Sequence, residues 1–108
     1  MVTEKLANKR FAELQRLFAS GKAGHAYLFL GPISPENEAG IRRLAQTLLC
    51  LAERDKPCGR CRACQLMDQG SHPDFCVLAP EGGKIRLEEV RQLCYDAVLN
   101  PYLSASKV

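Results

Sequence analysis

The sequence has no apolar run near the roughly 18 residues that a membrane helix needs, so a membrane-spanning helix is excluded. Residues 1–18 carry acidic and basic side chains throughout and lack the apolar stretch of a secretory signal. There is no internal repeat and no low-complexity tract. Residues 50–70 contain no aromatic side chain, so this region has no platform on which bases could stack. Charge of one sign is also scarce. A formal net charge of +3 permits an acidic partner but does not by itself argue for nucleic-acid binding. These absences point to the cytoplasm, where thiols stay reduced.

Cysteine, by contrast, is abundant, with six in 108 residues. In a reducing compartment that number suggests metal or buried thiols before disulfides. Cys50, Cys58, Cys61 and Cys64 are spaced C-x7-C-x2-C-x2-C. Thiolates three residues apart in a turn can face one ion, and four of them close a tetrahedral zinc site. Pro57 and Gly59 supply the tight backbone. An iron–sulfur cluster is a rival, but the fourth ligand of the ferredoxin-type run falls on Asp68. Unliganded buried thiols are the plain alternative. Four protein ligands leave no open position, which makes the expected zinc structural and not catalytic. Cys76 and Cys94 stand in apolar contexts and read as core residues.

Periodicity organises the rest. Ala7, Phe11, Leu14, Leu17 and Phe18 predict an amphipathic helix over about 4–19, stopped by Ser20-Gly21. The apolar run Ala26–Leu30 predicts a buried strand. Ser34 suits a helix N-cap, Pro35 the first helical position, and Glu36 and Glu38 the positive end of the dipole. Ile41, Leu44, Ala45, Leu48 and Leu49 then form the buried stripe of that helix. Phe75–Leu78 predicts a second strand. Ile85, Val90, Leu93, Cys94, Ala97 and Val98 predict a helix over about 88–99. The order of elements belongs to an α/β fold with a parallel sheet, interrupted by a small insert at about 50–70. Two strands are too few to close such a sheet, so residues 1–108 are expected to be the N-terminal part of a larger domain.

A buried strand, then Gly31-Pro32, then a helix is where a nucleotide-binding fold places its phosphate loop. Counted from Gly31, the pattern G-x4-G-K-[ST] puts Glu36 at the second glycine, Asn37 at the lysine and Glu38 at the hydroxyl residue. The backbone could not easily wrap phosphates, the lysine charge is gone, and magnesium loses its protein ligand. Unit charges about 4 Å apart near a protein surface repel by roughly 4 kcal/mol. No ATP binding is expected at this loop. A plain strand–helix connection with no nucleotide ancestry would read the same way.

Taken in order, these motifs resemble one family. His25-Ala26-Tyr27-Leu28-Phe29-Leu30-Gly31-Pro32 looks like the HAYLF-x-GP strand that opens clamp-loader AAA+ domains. Pro57-Cys58-Gly59-x-Cys61-x2-Cys64 resembles the family's zinc module, and Ser71-His72-Pro73-Asp74 its HPD motif. Ile85 through Leu93 resembles the I-x-[IV]-[DE]-x-[IV]-R-x-L segment. The resemblance is to the δ′ subunits of the bacterial DNA polymerase III clamp loader, relatives of the γ/τ motors. It implies a P-loop NTPase-like (AAA+) fold with a zinc-binding insert. It also implies γ/τ and δ subunits as partners, with the β sliding clamp and primed DNA acted on by the assembly. The interval from Cys50 to Cys58 is one residue shorter than usual, and the phosphate loop is lost outright. That loss favours δ′ over γ/τ. The resemblance puts the arginine finger after residue 108, so no catalytic residue is assigned. An active γ/τ-type motor and a free-standing zinc module that binds DNA are the alternatives.

Single residues have plain readings beside these. His72 is expected at the start of a strand and not as a ligand, because four cysteines already fill a shell. His25 is expected to be packed or hydrogen-bonded beside a buried strand. Arg54, Lys56, Arg60 and Arg62 make the insert basic, which suits a solvated or protein-facing surface better than a DNA contact. Asp74, with no paired base in view, reads as structural.

Overall fold

A computed structural model describes residues 2–108, with side chains from Lys9 onward. It contains four helices: α1 (Val2–Ala19), α2 (Pro35–Leu49), α3 (Arg62–Gln69) and α4 (Leu87–Ala97). α2 packs against both α1 and α3. Ala7, at the start of the expected α1 stripe, lies outside the described side chains.

α1 stops where Ser20-Gly21 predicts. Gly21 has φ +79°, and the N–H groups of Gly21 and Lys22 donate to the carbonyls of Phe18 and Leu17. α2 starts at the predicted cap: Ser34 is extended and its Oγ accepts from Asn37 N at 3.1 Å. Leu44, Ala45 and Leu49 are buried on α2, and Ala45, Leu49 and Met67 of α3 form one core cluster with Phe75 packed against it. The Arg42 guanidinium lies over the Phe75 ring, 5.6 Å from its centroid.

α1 and α2 approach closely at Gly40. A Cβ there would sit 2.8 Å from two carbons of the Phe11 ring. Gly40→Val therefore overpacks the α1–α2 contact and will destabilise the chain by about 2 kcal/mol. The effect will appear as a lower urea midpoint with an unchanged slope.

The structure corrects several sequence expectations. Among the described residues there is no β-strand, only an isolated antiparallel bridge between Glu81 and Lys84. A strand exists only when its backbone N–H and C=O groups pair with a neighbour, and Ala26–Leu30 has no such neighbour here. Its side chains still alternate. Tyr27 packs tilted against Phe18 of α1 at 5.0 Å and Phe29 stacks on Phe11 at 5.9 Å, while Leu28 and Leu30 are 83% and 89% exposed. Phe75–Leu78 comes nearest to pairing. Cys76 N donates to Val108 O, and Val108 N to Asp74 O, each at 2.9 Å. Those two bonds form one parallel rung between Phe75 and Val108.

The stripe predicted for α4 is not covered. Ile85, Val90, Leu93 and Val98 are exposed, and no residue of α4 is buried. Cys76 and Cys94, expected in the core, are exposed for the same reason: their apolar neighbours have no second layer over them. His25 is exposed as well, because the segment it precedes is covered on one face only.

α3 was not expected. Its signal is short, with Ala63, Leu66 and Met67 at helical spacing among cysteines and charges. Cys61 caps it, accepting from Cys64 N, and Gly70 closes it at φ +72°.

Candidate metal centre and the loop before α2

The end of α2, a turn and the first turn of α3 bring four cysteines together. The Sγ atoms of Cys50, Cys58, Cys61 and Cys64 all lie within 4.8 Å of one another. Cys58 and Cys64 are 4.0 Å apart at sulfur, and Cys50 and Cys61 3.9 Å. A metal–thiolate bond of about 2.3 Å implies a tetrahedral edge of about 3.8 Å, so this spacing suits one four-coordinate ion. All four are free thiols, too far apart for disulfides.

The backbone is arranged around the sulfurs. Arg60 N and Cys61 N donate to Cys58 Sγ at 3.4 and 3.3 Å. Leu51 N and Cys64 N donate to Cys61 Sγ, and Cys58 N to Cys50 Sγ, at 3.4–3.5 Å. Gly59, at φ +75°, lets the chain fold back so that the amides after Cys58 face its own sulfur. Those two amides bring the Cys58 thiol down to about 6. Cys61 is also held below its usual value: burial opposes the charge, and the amides of Leu51 and Cys64 outweigh it. Burial pushes the Cys64 thiol up to about 12. Cys64 is 0% exposed. A cation at the centre of the four sulfurs would offset that burial and favour the thiolate.

His72 is not part of the cluster; it sits in a buried polar network beside it. Asp74 N donates to His72 Nδ1 at 2.9 Å, which leaves the proton on Nε2 to face Ser104 Oγ at 3.1 Å. Ser104 Oγ in turn donates to the Leu49 carbonyl at 2.6 Å. Asp74 receives three backbone N–H groups: Tyr102 at 2.6 Å on Oδ1, and Leu103 and Ser104 at 2.8 Å on Oδ2. Burial raises the cost of its charge, but those amides overcome it and hold the carboxyl below its usual range. The structural reading of Asp74 thus acquires its partners here. A lone HPD motif gives no hint that they come from residues 102–104.

The loop before α2 is closed on itself. Asn37 Nδ2 donates to the Pro32 carbonyl at 2.8 Å, and Asn37 N to Ser34 Oγ. Glu38 N donates to the Ser34 carbonyl at 3.0 Å. Glu36 and Glu38 stand exposed on the first turn of α2. Gly31 faces open space, with no neighbour that requires the absence of a side chain.

The chain belongs to the family described as DNA polymerase III, delta subunit, whose profile matches residues 6–108. Several of the similar curated proteins are δ′ subunits. The chain is 37% identical over 84 residues to DNA polymerase III subunit delta′ of Haemophilus influenzae, covering 77% of this chain and 26% of that protein. It is 36% identical over 101 residues to the Escherichia coli subunit, covering 91% of this chain and 30% of the relative. It is 40% identical over 87 residues to the Pseudomonas aeruginosa subunit, covering 78% and 26%. The chain thus spans between a quarter and a third of the length of these relatives. No helix among the described residues is long and apolar enough to cross a membrane.

Proposed function

We propose that this chain is the N-terminal part of a non-catalytic δ′ subunit of the bacterial DNA polymerase III clamp loader. In that role it joins γ/τ and δ in an assembly that loads the β sliding clamp onto primed DNA. Its fold is AAA+-like, and the single parallel rung between Phe75 and Val108 supports a parallel sheet at that position. Cys50, Cys58, Cys61 and Cys64 hold a structural zinc ion. With four protein ligands the ion has no open site, so it orders the insert and takes no part in bond-making.

The observation that carries the non-catalytic reading is the Asn37–Pro32 bond. The residue at the lysine position uses its donor to close the loop, and Ser34 satisfies the amide that a phosphate would use. Glu36 and Glu38 add negative charge where a triphosphate would lie. Calorimetric titration with magnesium and ATP tests the reading. The expected result is no heat of binding up to millimolar nucleotide. Magnesium-dependent binding in the micromolar range would assign the chain to the ATP-hydrolysing motors instead.

A further inference from the structure

We propose that the four-cysteine centre is a conformational latch for the Tyr102–Val108 segment, acting through the Leu49 carbonyl, Ser104 and His72. The inference rests on the metal reading above and extends it beyond the insert.

The path is short and continuous. Cys50 follows directly on Leu49, the last residue of α2, and both are buried. The last carbonyls of a helix have no partner within it. The Leu49 carbonyl finds one 55 residues further along the chain, in Ser104 Oγ at 2.6 Å. The same hydroxyl meets His72 Nε2, while His72 Nδ1 takes the amide of Asp74. Asp74 gathers the amides of Tyr102, Leu103 and Ser104, and its own carbonyl accepts Val108 N. His72, Asp74 and Ser104 are all buried, so water cannot readily replace a broken link.

The latch works through position alone. A bound ion fixes Cys50, and hence where the Leu49 carbonyl points. With the ion gone, the peptide after Leu49 is released at its metal end, and Ser104 loses a well-placed acceptor. A buried hydroxyl with a misplaced partner is costly, so the Tyr102–Ser104 turn loosens, and the Phe75–Val108 rung with it. Among the described residues, Ser104 is the hydrogen-bonded bridge between α2 and residues 102–104, while the insert also reaches them along the chain through His72 and Asp74.

Hydrogen exchange on the full-length subunit, metal-loaded and after chelation, tests this, with metal content assayed in parallel. The amides of Leu103, Ser104 and Val108 are expected to exchange about tenfold faster or more once the metal is removed, the size of one lost hydrogen bond. α1 amides should not change. In Ser104→Ala the same amides will already exchange faster with metal bound and will respond little to chelation. Ser104→Thr, which keeps the hydroxyl, should restore the response. Confirmed metal loss with faster exchange at residues 58–64 but none at 102–108 overturns the latch. So does loss of α1 protection alongside, which would make the change global. A protein that binds no zinc at all overturns the metal reading instead, and the parallel assay tells these failures apart.

Discussion

Chelating the proposed zinc ion will unfold α3 and leave α1 packed on α2. α3 spans 8 residues, well short of the roughly 12–15 at which an isolated helix becomes even marginal in water. Its N-cap is a candidate ligand, Cys61, and one of its buried residues is another, Cys64. Structural zinc sites contribute on the order of 10 kcal/mol or more to the local fold, far above what Met67 against Leu49 can supply. α1 and α2 do not depend on the ion, since their contact runs through Phe11, Gly40 and the Arg43–Gln15 hydrogen bond. Cys64→Ser will behave like chelation, because it removes a proposed ligand and leaves a hydroxyl in a fully buried position. Circular dichroism should lose about one short helix, and limited proteolysis should open new cuts within residues 50–70. Metal analysis must confirm that the ion has left. An unchanged digest after confirmed removal would show that the insert holds together without it.

Asp74→Ala will cost about 3 kcal/mol or more, because it orphans the amides of Tyr102, Leu103 and Ser104 together. Asp74→Asn will cost less, about 2 kcal/mol. An amide oxygen at the Oδ2 position keeps Leu103 and Ser104, but its NH2 then faces Tyr102 N–H, donor against donor. The two substitutions also differ in their pH dependence. The folded Asp74 carboxyl lies below its ordinary value, so the stability it contributes is present above the unfolded pKa. That contribution is lost as pH falls through the folded value, in the acid range below the ordinary pKa of 3.8. Urea midpoints for the native chain should therefore fall on acidification in that range, and the Asn variant should lack that share of the fall. Equal acid sensitivity in both would locate the titrating group elsewhere.

α1, α2 and the clustering of Cys50, Cys58, Cys61 and Cys64 were legible in the sequence because they rest on local chemistry. Ser34, Pro35 and the apolar spacing of α2 act within a few residues, and the N-cap bond forms as the sequence predicts. The four cysteines lie close together because three of them sit within a single turn and its flanks. The strands were legible only as composition. Ala26–Leu30 carries the alternation of a strand, with Tyr27 and Phe29 turned to α1, but pairing is a property of two segments and cannot be read from one. The α4 stripe has the right period and still lies open, since periodicity tells which face is apolar but not whether anything covers it. Asp74 and Ser104 were not legible as a pair because 30 positions separate them. α3 was masked by the charges and cysteines around Ala63, Leu66 and Met67, and its tertiary contact with Leu49 outweighs a weak local signal.

The open face of Ala26–Leu30 has a consequence for colloidal behaviour. Five uncharged residues rich in aromatic and branched side chains, with neither proline nor glycine among them, have the makeup of segments that zip together between chains. Among the described residues no backbone partner takes up their N–H groups, and two leucines point outward from the α1 surface. Pro32 lies just past Gly31 and Lys22 a few residues upstream, so the stretch is bracketed by residues of the gatekeeper kind. Those flanks limit how far a cross-chain ladder can grow, while the five residues between them form the surface through which separated copies would adhere.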